Sequence, residues 1–417
     1  MLVSLIKQKA EIAILLFIAF TLPFFQQASI IAIVALVIVW IIKKNFLSTF
    51  KKLRQHPVVI LWICYFGLHL LSLLWSENLS YGSKDIETKL SFLIFPLILI
   101  TTTFSSDLLK KIKFVFIAGC VAACLFCLVN AFKHYLSTKD LTVFYYQAFS
   151  FFMHTSYFTM YLNLALLFLL EIVINQWNLS GTFKKKIFIS ILALLVINII
   201  LLSARTAIAV SLFTTLIYCI IQILKAKKGL PILIFCLIIV ALGNWRITHT
   251  FNRYEQVQQA ADHYQDSSKP EMVNSSGFNS TTSRIEFWKN AVHVIIQNPV
   301  IGVGIGDIKE ELVKQYTINN FQYGIDHRFN PHNQYLHTGV SLGLIGLLLF
   351  LSCLLLPLYK AFKQGDWIYL CFLLMILING ITESIIERQN GIIFYAFFNL
   401  ILYLESENKK TQNLLNN

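Results

Sequence analysis

The sequence predicts an all-α polytopic membrane protein, with about twelve transmembrane helices and one long loop that contains short helices. Hydrophobic residues make up 57% of the 417 residues and charged residues only 13%, whereas soluble domains average roughly 25% charged residues. The apolar residues also lie in blocks near the ~20 residues that a helix needs to span a bilayer. A water-soluble enzyme, a disordered chain and a collagen-like fibre are therefore excluded.

Twelve apolar segments follow one another along the chain, and each predicts a membrane-spanning helix. The first two, 10–25 and 28–42, are separated by little more than Gln26-Gln27, so they could form one hairpin. The remaining ten segments are 57–75, 90–104, 114–132, 156–175, 187–203, 206–224, 230–246, 334–359, 366–380 and 391–404.

These segments divide the chain into membrane and loop regions. Residues 1–246 hold helices one to nine, 247–333 form the long loop, and 334–404 hold helices ten to twelve. Residues 405–417 are a polar tail that we expect to fray. Within the long loop, Ser283 to Glu286 has the pattern of a capping box, and Asn298-Pro299 is expected to end the helix that follows.

Basic residues alternate between the loops and predict the orientation. Of the 34 Lys and Arg residues, 20 lie in one set of short loops and only six in the opposite set. The positive-inside rule then places both termini in the cytoplasm. The outer side carries the loops 76–89, 133–155, 247–333 and 381–390. The net charge of +13 is thus an orientation signal, and no nucleic-acid partner is expected.

Motifs of metal and nucleotide sites do not occur in the sequence. There is no Asp-x-Asp and no His-Glu-x-x-His, and all eight cysteines lie in apolar segments. The Gly-x-Gly-x-Gly at 302–306 has no predicted strand before it and no Gly-Lys-Ser/Thr after it, so it favours tight backbone packing over a nucleotide site.

Arg205 is the only charged residue between Ile187 and Leu224. At about 1.5 Å per residue, this stretch is long enough to cross a ~30 Å core twice, with Arg205 at the outer tip of the hairpin. An unpaired arginine at a membrane boundary costs a few kcal/mol, so an anionic partner is expected. One interpretation is a structural ion pair or a headgroup contact, and the other is a clamp for a lipid-linked phosphate.

His332 lies where the long loop re-enters the membrane. A neutral imidazole can act as a general base, and the alternative is a hydrogen-bonded structural histidine. Spacing alone does not choose between His332 and the other histidines of the outer side, which are His134, His154, His249, His263, His327 and His337.

Arg284 lies at the first turn of the predicted loop helix, where a free helix N-terminus can bind an anion. The alternative is a solvated surface charge. Glu383, Glu387 and Arg388, in the last outer loop, are candidates for contacts to an acceptor.

Several of these motifs resemble the superfamily of O-antigen ligases, O-antigen polymerases and protein O-oligosaccharyltransferases, which are polytopic membrane glycan transferases. Their signature resembles a run that begins with His332-Asn333. It continues with Gly343 after nine residues and with Gly346 after two more. Ser203-Ala204-Arg205 is similar to the segment of their first essential arginine, and 283–304 to that of the second. Leu74-Trp75-Ser76 is also similar, and the resemblance is strongest over 200–350.

The resemblance implies a metal-independent glycosyltransferase without a cofactor. It would move a glycan from undecaprenyl diphosphate to an acceptor hydroxyl at the periplasmic face of the bacterial inner membrane. His332 would be the catalytic base, and Arg205 and Arg284 would bind the diphosphate. Asn333, Glu383 and Arg388 would support the site or bind the acceptor.

The resemblance leaves the acceptor open. A ligase of lipopolysaccharide biosynthesis would use a lipid A-core sugar, and the signature favours this interpretation over a polymerase of the same fold. A lipid-linked glycan flippase belongs to another class. It would predict charged residues along the spans, a pattern that the sequence does not show.

Overall fold

The computed structural model describes residues 2–44, 46–176, 181–226 and 280–416, and these residues form helices without a strand. Eleven of the twelve predicted segments lie in these ranges, and each coincides with a helix. The segment 230–246 and the loop portion 247–279 lie outside the described residues. Six of the described helices are long and apolar enough to cross a membrane, which confirms the all-α polytopic prediction.

The helices before the long loop include most of the predicted membrane segments. In chain order they are α1 Leu2–Thr21, α2 Gln26–Lys43, α3 Phe46–Leu53, α4 Pro57–Ser72, α5 Leu79–Lys89, α6 Ser91–Leu99, α7 Ser106–Thr138, α8 Tyr146–Phe149, α9 Thr155–Gln176, α10 Thr182–Leu201 and α11 Arg205–Ala226.

The described part of the long loop and the C-terminal region add six more helices. They are α12 Ser280–Gln297, α13 Ile308–Ile318, α14 Gln322–His327, α15 Gln334–Gln364, α16 Trp367–Asn379 and α17 Gln389–Asn416. The short helices that were predicted in the long loop are therefore present.

Helix α9 lies in the centre of the bundle. Its apolar stretch is 94% buried, because α7, α10, α11 and α16 pack around it. Outer helices instead leave large apolar side chains open, such as Ile31, Val129 and Leu348. Such surfaces suit contact with lipid, since hydrocarbon is their preferred surroundings.

The segment 90–104 does not form an independent span, contrary to the prediction. Helix α6 has nine residues and reaches only about 14 Å, well short of the ~30 Å core. It continues directly from α5 through Leu90, whose backbone angles are helical. The predicted outer loop 76–89 is therefore mostly helix. Its polar composition indicates a loop, so the sequence did not predict this helix.

Two other boundaries also differ from prediction. Helix α17 continues past residue 404 to Asn416, because Glu405 pairs with Lys113 and Lys409, each at 3.0 Å, so the tail does not fray from 405. Helix α12 is described from Ser280, so Ser283 lies inside the helix and the predicted capping box is wrong. The helix ends at Gln297, as Asn298-Pro299 predicted.

Loops predicted to share one side of the membrane meet at one end of the bundle. One end, which we call the site end, brings Ser76 into contact with Gly306, and Glu383 into contact with Ser156 and Arg284. The opposite end, called the lysine end, carries Lys113, Lys360 and Lys409. These lysines pair with carboxylates of α9 and α17 and with Asp366, the residue before α16. This grouping agrees with the alternation that the basic residues predicted.

Candidate functional site

A break in helix α15 organises the site end. Gly343 has φ 62° and ψ −160°, so its backbone leaves the helical path there. The segment after α12 runs beside this break. Val303 N–H donates to Val340 O at 2.9 Å, Gly304 N–H donates to Ser341 O at 2.9 Å, and Leu344 N–H donates to Pro299 O at 2.8 Å. The loop is thereby fixed to the membrane helix.

Glycines are required along this contact because the two backbones touch. A Cβ at Gly302 would lie 2.5 Å from the carbonyl carbon of Ser341, and one at Gly343 would lie 2.6 Å from the nitrogen of Gly302. A Cβ at Gly306 would lie 2.5 Å from Asn78 O. These distances are below any real carbon contact, which confirms the interpretation of tight backbone packing.

His332 stands at the entrance to α15, in an unusual backbone conformation. Its φ is 46°, a left-handed value that costs free energy for a residue with a side chain. Its N–H donates to Asn330 Oδ1 at 2.9 Å. The next residue, Asn333, caps α15, because its Oδ1 accepts from the N–H groups of Tyr335 and Leu336. Asn333 thus fixes the start of the helix directly after His332.

Two aromatic rings hold the imidazole in place. Phe287 and Phe329 lie with ring centroids 5.9 Å and 5.6 Å from that of His332. Phe287 is three residues after Arg284 on α12, so both side chains leave the same face of that helix. One helix therefore supplies the ring that packs on His332 and the guanidinium beside it.

Glu383 joins the histidine and the arginine. Its Oε2 lies 3.5 Å from His332 Nδ1, and its Oε1 lies 3.5 Å from Arg284 Nη2. The Ser156 hydroxyl donates to the same Oε1 at 3.5 Å. The Glu383 side chain is 11% exposed, against 28% for His332 and 31% for Arg284. The carboxylate is thus the least exposed of the three groups, and we call the space around them the cleft.

The surroundings of Glu383 favour its ionised form. Burial alone would raise the pKa of this carboxyl, but the hydrogen bond from His332 and the positive surroundings from His332, His154 and Arg284 lower it below its usual value. Burial lowers the pKa of the neighbouring His154, and the charge of Arg388 acts in the same direction. The cleft therefore holds one carboxylate among several cationic or neutral nitrogen groups.

A second buried network fixes the loop that carries Glu383. Glu387 accepts from Lys89 Nζ at 2.5 Å and from Gln334 Nε2 at 2.7 Å, and its Oε1 lies 3.2 Å from His337 Nδ1. Lys89 also binds Asp85 at 2.5 Å. Burial opposes charge on Glu387, but His337 and Lys89 lower the pKa of that carboxyl well below its usual value. The network ties the loop to both α5 and α15.

The sequence named Glu387 and His337 but not their partners on α5. The only signal was the four-residue spacing of Asp85 and Lys89, which also occurs on many exposed helices. Lys89 reaches Glu387 only because α5 packs against α17, the helix that follows the loop carrying Glu387.

The other candidates lie in several places. Arg205 begins α11 at the tip of the hairpin with α10, as predicted, and its side chain is exposed. Arg388 is exposed near His154. His134 and His327 are exposed, and His327 stacks on Phe329 with ring centroids 5.2 Å apart. His249 and His263 lie outside the described residues.

Comparison with known proteins gives a family match over the segment that contains Arg205, Arg284 and His332. Residues 190–351 match a family model described as O-antigen ligase. The match runs from α10 into α15 and includes Arg205, Arg284, His332 and Gly343. Glu383 and Lys89 lie outside it. The search of curated proteins finds no match.

Proposed function

We propose, from the match of residues 190–351 to the family model described as O-antigen ligase, that the protein transfers a glycan from undecaprenyl diphosphate to an acceptor hydroxyl. The preferred acceptor is a lipid A-core sugar. The observation that carries the proposal is the convergence of His332 and Arg284 on the buried Glu383 carboxylate, within one cleft.

His332 would act as the general base. With its Nδ1–H directed at Glu383, its Nε2 keeps a lone pair for the acceptor proton. The acceptor oxygen then attacks the anomeric carbon, and the bond from that carbon to the phosphate oxygen breaks with its electron pair. The proton ends on Nε2, and the carrier diphosphate leaves. A single displacement of this kind inverts the anomeric centre.

Arg284 and Arg205 would bind the diphosphate, whose negative charge grows as the bond breaks. Guanidinium is suited to this role because it stays protonated and binds two phosphate oxygens at once. Glu383 holds the first guanidinium beside the imidazole. Such pre-positioned charges stabilise a transition state more strongly in a poorly hydrated cleft than in water.

The site end would face the periplasm, in the bacterial inner membrane, with both termini in the cytoplasm. The distribution of lysines supports this orientation. The regions 1–246 and 334–404 would then be the membrane portion and 247–333 the long periplasmic loop, with 405–417 on the cytoplasmic side.

Purified protein with an undecaprenyl-diphosphate-linked glycan and a lipid A-core acceptor tests the proposal. His332→Ala should reduce glycan transfer by about 10²–10⁴-fold, because the acceptor proton loses its base. The control is His134→Ala, which removes an exposed imidazole at the end of α7 and should leave the rate unchanged. Full activity of the His332 variant would refute the assignment of the base.

The same reaction separates the alternatives. A polymerase would extend one carrier-linked glycan with another and would leave the lipid A-core acceptor unmodified. A flippase would move the donor across a vesicle membrane without forming any glycosidic bond. Either result would replace the ligase proposal.

A further inference from the structure

A cavity of about 760 Å³ opens at the lysine end, far along the bundle from the cleft at Glu383. It lies between the C-terminal ends of α9, α11 and α15, the start of α16 and the polar part of α17. Its polar lining includes Lys360, Lys363, Gln364, Lys409 and Lys410. The glycan-transfer proposal uses none of these residues.

Cationic groups outnumber carboxylates in this lining. Four lysines face two carboxylates in the lining, Glu171 and Asp366, while Glu407 and Glu405 beside it pair with Lys360 and Lys409. Lys409 pairs with Asp366 at 3.1 Å, whereas Lys363 and Lys410 have no carboxylate at ion-pair distance within the described ranges. The positive charge available to an anionic ligand is therefore that of Lys363 and Lys410.

Aromatic rings and lipid-facing side chains adjoin the lysines. Lys363 Nζ lies 4.9 Å from the ring centroid of Tyr359, and Lys225 Nζ lies 4.6 Å from that of Trp367. Tyr359 lines the cavity and is 56% exposed, and Phe362 beside it is 60% exposed. Aromatic and basic residues at the end of a hydrophobic bundle are typical of the membrane–water interface.

We propose that this cavity binds the phosphate headgroup of an anionic phospholipid. The lysines contact the phosphate beside Gln364 and Ser406, whose side chains hydrogen-bond each other at 2.5 Å. The acyl chains lie along the exposed apolar face of α15 at Leu355 and Phe362. Basic pockets between transmembrane helices are a known form of headgroup site.

The apolar side of the cavity favours a lipid over a soluble acidic partner. A free anion or an acidic peptide would use the lysines but would not contact the adjoining apolar face of α15. A phospholipid satisfies both surfaces at once, since its charge and its chains are joined at the interface.

Lipid retention by the purified full-length protein, measured by native mass spectrometry, tests the proposal. Phosphatidylglycerol should be retained in preference to phosphatidylcholine, which has the same chains but no net charge. Equal retention of the two lipids would overturn the proposal, and so would complete displacement of phosphatidylglycerol by millimolar inorganic phosphate. This comparison uses unmodified protein and does not depend on glycan transfer.

The variant Lys363→Gln with Lys410→Gln removes the two lysines without breaking an ion pair of the described residues. Phosphatidylglycerol binding should weaken about 30-fold, which at 1.4 kcal/mol per tenfold is about 2 kcal/mol. The matched control is Lys51→Gln with Lys52→Gln on α3, at the same end but outside the cavity. Equal weakening in both double variants would assign the effect to general surface charge and would refute the site.

Discussion

Glu383 has the most informative surroundings of any single residue at the site end. It is nearly buried, yet its carboxyl is kept ionised by His332, His154 and Arg284. His332 in turn occupies a left-handed backbone conformation that other residues of the entrance to α15 do not need. A strained backbone beside a buried charge is a combination that accumulates at functional sites, because folding stability alone does not favour it.

The lowered pKa of Glu383 makes stability depend on pH. Its folded pKa is below the unfolded value of about 4.5, so its ionised form stabilises the fold above that pH. The stabilisation is lost as pH falls through the folded pKa. The wild type should therefore have a higher Tm than Glu383→Gln at pH 7, and the difference should shrink towards pH 3. Thermal unfolding of both proteins in detergent measures this.

A matched control is Glu310→Gln, which removes an exposed carboxylate paired with Arg328. Its Tm difference from the wild type should stay nearly constant over the same pH range, since exposed pairs contribute little. A constant difference for Glu383→Gln as well would contradict the proposed ion cluster.

At the level of elements, the contact between the 299–304 segment and the break in α15 positions the cleft. It brings α12, which carries Arg284 and Phe287, to the helix start that carries His332. The α5–α6 helix contributes from the opposite side through Lys89 and Glu387. Gly302 and Gly343 are thus explained by the close approach of the two backbones.

Gly343→Ala should destabilise the protein by at least about 2 kcal/mol, because alanine is strained at positive φ and its Cβ would overlap the backbone at Gly302. The control is Gly67→Ala in α4, where a Cβ has nothing within 4 Å and should be neutral or stabilising by about 1 kcal/mol. Thermal unfolding compares the two, and equal stability would argue against the tight contact.

At the level of the whole molecule, charges collect at the two ends of a largely apolar bundle. Lys89 and Glu387 join helices at the site end, and Lys113, Glu171 and Glu405 do so at the lysine end. Such buried ion pairs specify how helices pack, because leaving one partner unpaired costs several kcal/mol. From the basic residues of the loops, the two ends would face different sides of the membrane.

Cysteine labelling in intact spheroplasts tests this orientation. Ser137→Cys, near the end of α7, should react with a membrane-impermeant maleimide, and Asn408→Cys should react only after permeabilisation. The unsubstituted chain gives the background of its own cysteines. Labelling of both positions in intact cells, or the reverse pattern, would reject the proposed sidedness.

The sequence by itself determined the membrane class, most helices, the hairpin tip at Arg205 and the grouping of loops by side. These features follow from the order of apolar and basic residues along the chain, and each depends only on its own segment. It did not determine the helix at 79–89 or the partners of Glu383 and Glu387. Those depend on which distant segments pack together, because a buried charge is stable only beside groups that tertiary structure alone brings within hydrogen-bond distance.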